Sequence, residues 1–222
     1  MVEDRLKPGA PDLASVGVIL ANDVRPFEQA KLRLLNAAHS SLAYLGLLAG
    51  FETVGEAMAD PALAGFVERL MRQDLAAGLT TPPKLELNAY IDAVLARFRN
   101  PALRHRLAQI AADGSQKLPL RLLGAICDTL AAGRPVERLA VPVAAWIGFV
   151  VRQARAGETL ADPLAETLSA LGRAAGDDPA ASFLALEAVF PPALAGETRF
   201  RAAVIQAYAS LAVGGMTEIL AG

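Results

Sequence analysis

Residues 26–50, PFEQAKLRLLNAAHSSLAYLGLLAG, decide how the chain is read. The stretch has the composition of one long helix, mostly leucine and alanine, interrupted by Glu28, Lys31, Asn36 and His39. At about 100° per residue these four fall near 60°, 0°, 140° and 80°, inside one arc of roughly 140°. Leu34, Ala37 and Leu45 lie outside that arc, so the helix is expected to be enclosed on its other sides. A lysine among so many leucines must be compensated or uncharged. Desolvation of this kind turns a lysine into a base.

The rest of the chain bounds what this helix can belong to. At 222 residues it can bury one large core, and no linker divides it. Hydrophobic residues make up 54 % and the mean hydropathy is +0.36, so either the core is large or one face is covered by something else. A net charge of −2, with no long basic block, argues against nucleic acid as a partner. The longest apolar run, 139–151, is too short for a bilayer and contains Pro142 and Gly148, so it is expected to be a core helix and not a membrane span. A single cysteine, Cys127, excludes an internal disulfide. Without a secretory signal at its head, the chain reads as cytoplasmic. Two distant histidines and one cysteine make no recognisable metal site.

Taken in order, residues 1–24 form an irregular arm with turn residues Pro8, Gly9 and Pro11 and one β-like run, 17–20. Asp23 is the expected cap of the long helix, with Pro26 in its first turn. Beyond Gly50, Asp60–Pro61, Asn100–Pro101, Asp162–Pro163 and Asp178–Pro179 each set a capping side chain before a proline, the signature of a helix start. Helical periodicity runs over 61–77, 87–99, 101–112, 116–132, 135–155, 163–175, 179–190 and 197–220. The expectation is an all-α domain, 25–222, preceded by an extended arm, 1–24. No G-x-G-x-x-G follows a strand and nothing alternates as βαβ, so a dinucleotide-binding domain of the usual kind is absent from the sequence.

Each polar residue of the long helix has an ordinary reading. Lys31 can snorkel, Glu28 can pair with it three residues away, and Asn36 and His39 can satisfy core groups. Their coincidence on one arc has a sharper one. A base removes the proton of an alcohol while an amide and an imidazole donate to the developing alkoxide. A second stretch, DGSQKLPLR at 113–121, offers Gln116, Lys117 and Arg121 as an amide and cationic grip on an anionic group, or else a solvated helix start. His105, within RHR, reads as solvated and is given no role.

The spacing of Lys31, Asn36 and His39, set in E-x2-K-x-R-x-L-N-x2-H-S, resembles the signature of the mannitol dehydrogenase family, the metal-independent long-chain polyol and sugar-acid dehydrogenases. VEDRLKPGAPDL, RFRNPALRHRLAQIAADGSQKLPLRLL and RLAVPVAAWIGFVV are similar to further family segments, so the resemblance runs nearly end to end. It implies that the chain is a helical C-terminal domain holding the substrate, whose N-terminal Rossmann domain, the site of NAD or NADP, lies outside this sequence. By family analogy Lys31 is the general acid/base, Asn36 and His39 hold the substrate oxygens, and Glu28 exchanges protons between the lysine and solvent. Within the family, DGSQKLPLR and NPALRHR are similar to the fructuronate reductases (D-mannonate oxidoreductases), whose substrate brings a carboxylate that mannitol lacks. Leu6 stands where an aromatic is usual and Leu120 where a polar residue is frequent, which leaves the choice of sugar acid or polyol open.

For Lys31 to act as a base, burial must bring it down from an ordinary lysine by roughly 2–3 units, and Glu28 must be solvated and not tightly paired with it. Mannitol 2-dehydrogenase activity and a non-catalytic helical interaction domain are the competing readings. The isolated domain is expected to be inactive, with an exposed apolar face beside His39.

Overall fold

The computed structural model describes residues 2–7, 9–82, 85–176 and 178–221. It is helical almost throughout, as the periodicity predicts. The arm carries the only strands among the described residues, β1 (Val2–Glu3) and β2 (Leu20–Ala21), paired in parallel with Val2 opposite Leu20. The β-like run expected at 17–20 is therefore mostly loop, and its partner is the chain's own start. Pro8 lies outside the described residues.

Helix α1 spans 25–49 in three continuous segments: Arg25–Ala30, a π-helical stretch Lys31–Asn36, and Ala37–Ala49. Asp23 accepts a hydrogen bond from the Arg25 backbone N–H at 3.0 Å and ion-pairs with the Arg25 guanidinium, while the capping position proper falls on Val24. The α1 periodicity assumed above fails between 31 and 36. Hydrogen bonds to i+5 widen the turn, each residue rotates the chain by less than in an α-helix, and Lys31 and Asn36 come closer to one line than the sequence reading has them.

Helix α2 (Val54–Ala59) is capped reciprocally by Thr53 and Glu56, a capping box that the proline-based reading overlooks. Helix α3 runs over 61–78 from the Asp60 cap, with a second π stretch, Leu70–Leu75. Helix α4 is Leu87–Phe98. The helix expected from 101 is a correction: Asn100 closes a turn onto the Ala102 N–H at 3.0 Å, and α5 forms only over Leu107–Ala111. The cause is tertiary, because the Val54 N–H bonds the His105 carbonyl and the Leu107 N–H bonds the Glu52 carbonyl, holding 105–107 extended. Helix α6 runs over 114–131 through a third π stretch, Pro119–Leu123, where the proline lacks the N–H that an α-helix would use.

Helix α7 (Glu137–Ala156) is the buried axis of the domain, packed against α1, α8 (Ala165–Ala174) and α11 (Thr198–Ala212). Its Trp146 is buried between Phe183 and Phe190, ring edges to faces. Helices α9 (Pro179–Leu184), shorter than expected, α10 (Pro192–Ala195) and α12 (Met216–Ala221) close the outside, the last separated from α11 by a left-handed turn at Gly214. Asp162 is not the α8 cap of the sequence reading: its carboxylate bonds the Ser115 backbone and hydroxyl, and Leu164. Among the described residues no helix is long and apolar enough to cross a membrane.

Candidate functional site

The three π stretches meet: 31–36 packs against both 70–75 and 119–123. Widened turns of this kind concentrate at functional sites, and this one begins at Lys31 and ends at Asn36, with Glu28 before it and His39 after it. Lys31 is exposed and its ammonium, among the described residues, makes no hydrogen bond or ion pair. The expectation of a desolvated lysine is not met among the described residues, because no element of theirs covers the side of α1 that carries Glu28, Gln29, Lys31 and Leu32, all exposed. Glu28 forms no ion pair with Lys31. Asn36 is half-buried, its amide unbonded within the described residues.

His39 is the most constrained member. Its imidazole stacks on Phe98 with centroids 4.3 Å apart, and His105 approaches edge-on at 6.4 Å. Burial first, then the positive charges of Arg97, His105 and Arg121, lowers its pKa to about 4, so the ring is neutral at physiological pH. Its Nε2 is buried and has no hydrogen-bond partner among the described residues. Buried polar atoms are ordinarily satisfied, so an unpaired one beside an open face is a group awaiting a ligand or water.

Arg121 reaches from α6 to α1 and donates to the Ser40 Oγ at 2.9 Å. It is half-buried, its pKa lowered by that burial, and it makes no ion pair among the described residues. A guanidinium in that state suits a carboxylate. Lys117 and Gln116 do not join it. The Lys117 ammonium donates to the Ala112 carbonyl at 2.6 Å and the Ile110 carbonyl at 3.4 Å, with the Asp113 carboxylate 3.5 Å away, so it caps the end of α5. Gln116 is exposed, without a side-chain hydrogen bond among the described residues. Of the three residues expected to form one grip, only Arg121 bonds to α1.

The site is an open face. A shallow groove of about 540 Å³ along the first turn of α1 is lined in part by Glu28, Gln29 and Leu32. A larger concavity of about 590 Å³ lies elsewhere, between α7, α11 and α12, and contains none of the candidate residues. It is roomier, and its lining includes Arg134, whose buried Nε has no partner among the described residues, but it holds no imidazole and no lysine to set beside that guanidinium as the α1 face does. Among the described residues no cluster of three or more His, Cys, Asp or Glu side chains could hold a metal ion.

The family model for the mannitol dehydrogenase C-terminal domain matches residues 23–212. The chain belongs to that family. This mannitol dehydrogenase C-terminal domain is 40% identical over 224 residues to the D-mannonate oxidoreductase of Escherichia coli (strain K12), covering 100% of the chain and 46% of that protein. It is 32% identical over 225 residues to a mannitol 2-dehydrogenase of Aspergillus fumigatus, covering 99% of the chain and 45% of that protein. The fold matches Pseudomonas fluorescens mannitol 2-dehydrogenase, solved as a ternary complex with NAD and D-mannitol, with a TM-score of 0.86 and 34% identity over 99% of this chain and 45% of that one. The chain thus spans slightly less than half the length of these relatives.

Three neighbours of the site escape sequence reasoning. Phe98 and Arg97 lie on α4 and His105 on the loop after it, brought to His39 by tertiary packing with no local signal. The irregular connection before Leu107, read from 101 as the start of a helix, hid His105 in particular.

Proposed function

We propose that the chain is the substrate half of an NAD(P)-dependent secondary-alcohol dehydrogenase that interconverts a keto sugar acid, fructuronate, and its alcohol, D-mannonate. The observation that carries the reading is a neutral imidazole with a buried, unpartnered Nε2, on the helix that bears Lys31 and Asn36, together with a half-buried guanidinium without a carboxylate set against that helix. The similarity to D-mannonate oxidoreductase supports the choice of a sugar acid.

In this reading Lys31, neutral, removes the hydroxyl proton during oxidation and returns it during reduction. Asn36 and His39 donate to the substrate oxygen as it gains charge, and Arg121 holds the carboxylate. Exposed Glu28 passes protons between Lys31 and water. The nicotinamide, when bound, accepts or supplies the hydride. An exposed Lys31 and Leu32 with a half-buried Asn36 form one wall of such a site, and no βαβ unit occurs among the described residues, so NAD or NADP is held by a Rossmann domain outside this sequence. Closure of that domain over the exposed face also supplies the desolvation that Lys31 lacks here. The chain by itself is inactive on this account.

A second reading, oxidation of mannitol or another polyol, is favoured by the likeness to the NAD and D-mannitol complex and by exposed, apolar Leu120. The experiment is an assay of the complete gene product with fructuronate, mannonate and polyols, with NADH or NAD. Lys31→Ala is expected to lower kcat by about 10²–10⁴-fold. Wild-type turnover by that variant ends the proposal.

A further inference from the structure

We infer that Arg33 is a positioning residue whose guanidinium pins the widened turn 31–36 and thereby sets the angle at which Lys31 stands to Asn36 and His39. The inference rests on the reading of Lys31 as the base. Arg33 is 8% exposed, the one charged side chain in the buried set among the described residues. It points away from the open face, into a slot between two other elements. One guanidinium nitrogen donates to the Gly78 carbonyl at 3.4 Å, at the end of α3, and the other bonds the Asp128 carboxylate on α6. The slot is built from small residues: a Cβ on Gly78 would lie 3.3 Å from one guanidinium nitrogen, and one on Gly124 3.9 Å from the other.

Such a pin is needed because the local sequence does not ask for a π turn. KLRLLN contains no glycine or proline, and lysine, leucine and arginine favour the ordinary α-helix. The stretch 119–123 has Pro119 to disrupt its ladder; 31–36 has nothing of the kind. A tertiary contact must therefore hold the extra width. Removing that width is equivalent to deleting one residue from the ladder, which would rotate everything before the turn by about 100° relative to everything after it. Lys31 opens the turn, Asn36 ends it, and His39 lies one turn beyond. Relaxation would swing the base away from the groups with which it shares a substrate oxygen.

Arg33→Met tests this. Met fills much of the same space, and the Asp128 side chain is 49% exposed, so its charge stays hydrated when the partner goes. The variant should therefore melt close to wild type, while its backbone, determined by crystallography or NMR on this chain, is α-helical over 31–36. In the complete gene product, kcat should fall by about 100-fold or more, as expected for a misplaced base. The ionisation seen in the pH profile of kcat should shift, with KM changing much less. Arg33→Lys, which keeps a cation in the slot, should restore part of the loss and stands in should the Met variant not fold. A π turn intact in both variants overturns the inference, whatever the kcat. So does a loss of activity that only tracks a loss of stability, with the pH profile unmoved. A relaxed turn with unchanged kcat would support the pin and count against Lys31 as the base, which Lys31→Ala checks separately.

Discussion

The His39 imidazole is stacked on the Phe98 ring, centroids 4.3 Å apart and 27° from parallel. Burial there, with the charges of Arg97, His105 and Arg121, brings its pKa from 6.5 to about 4. The unfolded chain therefore binds a proton between about pH 6.5 and pH 4 that the folded chain refuses. Stability is complete above that window and falls as pH drops through it, by at most about 1.4 kcal/mol per pH unit before solvent screening is allowed for. Urea midpoints measured from pH 7.5 to 4 should fall more steeply for wild type than for His39→Gln. Parallel curves would mean that the imidazole takes up its proton in the folded state as readily as in the unfolded one.

Arg121 is the group best placed to tell a sugar acid from a polyol. Its only hydrogen bond among the described residues is to the Ser40 hydroxyl, a neutral partner that leaves the positive charge uncompensated. A charge-assisted bond to a substrate carboxylate contributes about 1.5–3 kcal/mol. Arg121→Gln should thus raise KM for fructuronate by roughly 10–100-fold while affecting mannitol little. Equal losses on both substrates would place the carboxylate elsewhere.

Fold class was legible because helix starts are local: Asp60 and Asp178 accept hydrogen bonds from the Leu63 and Ala181 N–H groups as their sequence contexts predict. The long helix and the buried core helix around Trp146 followed from periodicity and apolar density. Illegible were features set by contacts distant in sequence. The 105–107 segment is extended because it pairs with 52–54, and the π stretch at 31–36 arises in a sequence that is locally α. For the site, the lysine, amide and imidazole could be read from spacing. The exposure of Lys31 could not, since a lysine set among leucines reads as desolvated, whereas no element among the described residues covers this face.

Lys117 illustrates the same limit and yields a separate prediction. Sequence spacing pairs it with Arg121, but its ammonium lies on the Ala112 and Ile110 carbonyls, at the end of α5 where the helix dipole is negative. Asp113, next in the chain, sits in the left-handed region at φ 55, a conformation that the capped turn helps to hold. Lys117→Met should lower the unfolding free energy by about 1–2 kcal/mol with no substrate present. A residue that served substrate alone would leave the unliganded stability where it was.

The turn held by Lys117 leads directly into Gly114, which the core requires to be a glycine. A Cβ there would lie 2.4 Å from the Trp146 Nε1 and 2.7 Å from the Tyr44 hydroxyl oxygen, both belonging to rigid, fully buried rings. Tyr44 is on the same helix as Lys31 and donates to the Ala111 carbonyl at 3.2 Å, so it ties α1 to the end of α5. Neither ring can give way without moving α1 or α7. Gly114→Ala should therefore cost at least about 1–3 kcal/mol, the usual penalty of overpacking, whereas Gly133→Ala, at a left-handed turn with open space around it, should cost only backbone strain. Thermal or urea unfolding of the two variants makes the comparison. A Gly114→Ala chain as stable as wild type would show that α1 can shift freely on α7, and a freely shifting α1 could not fix the orientation of Lys31.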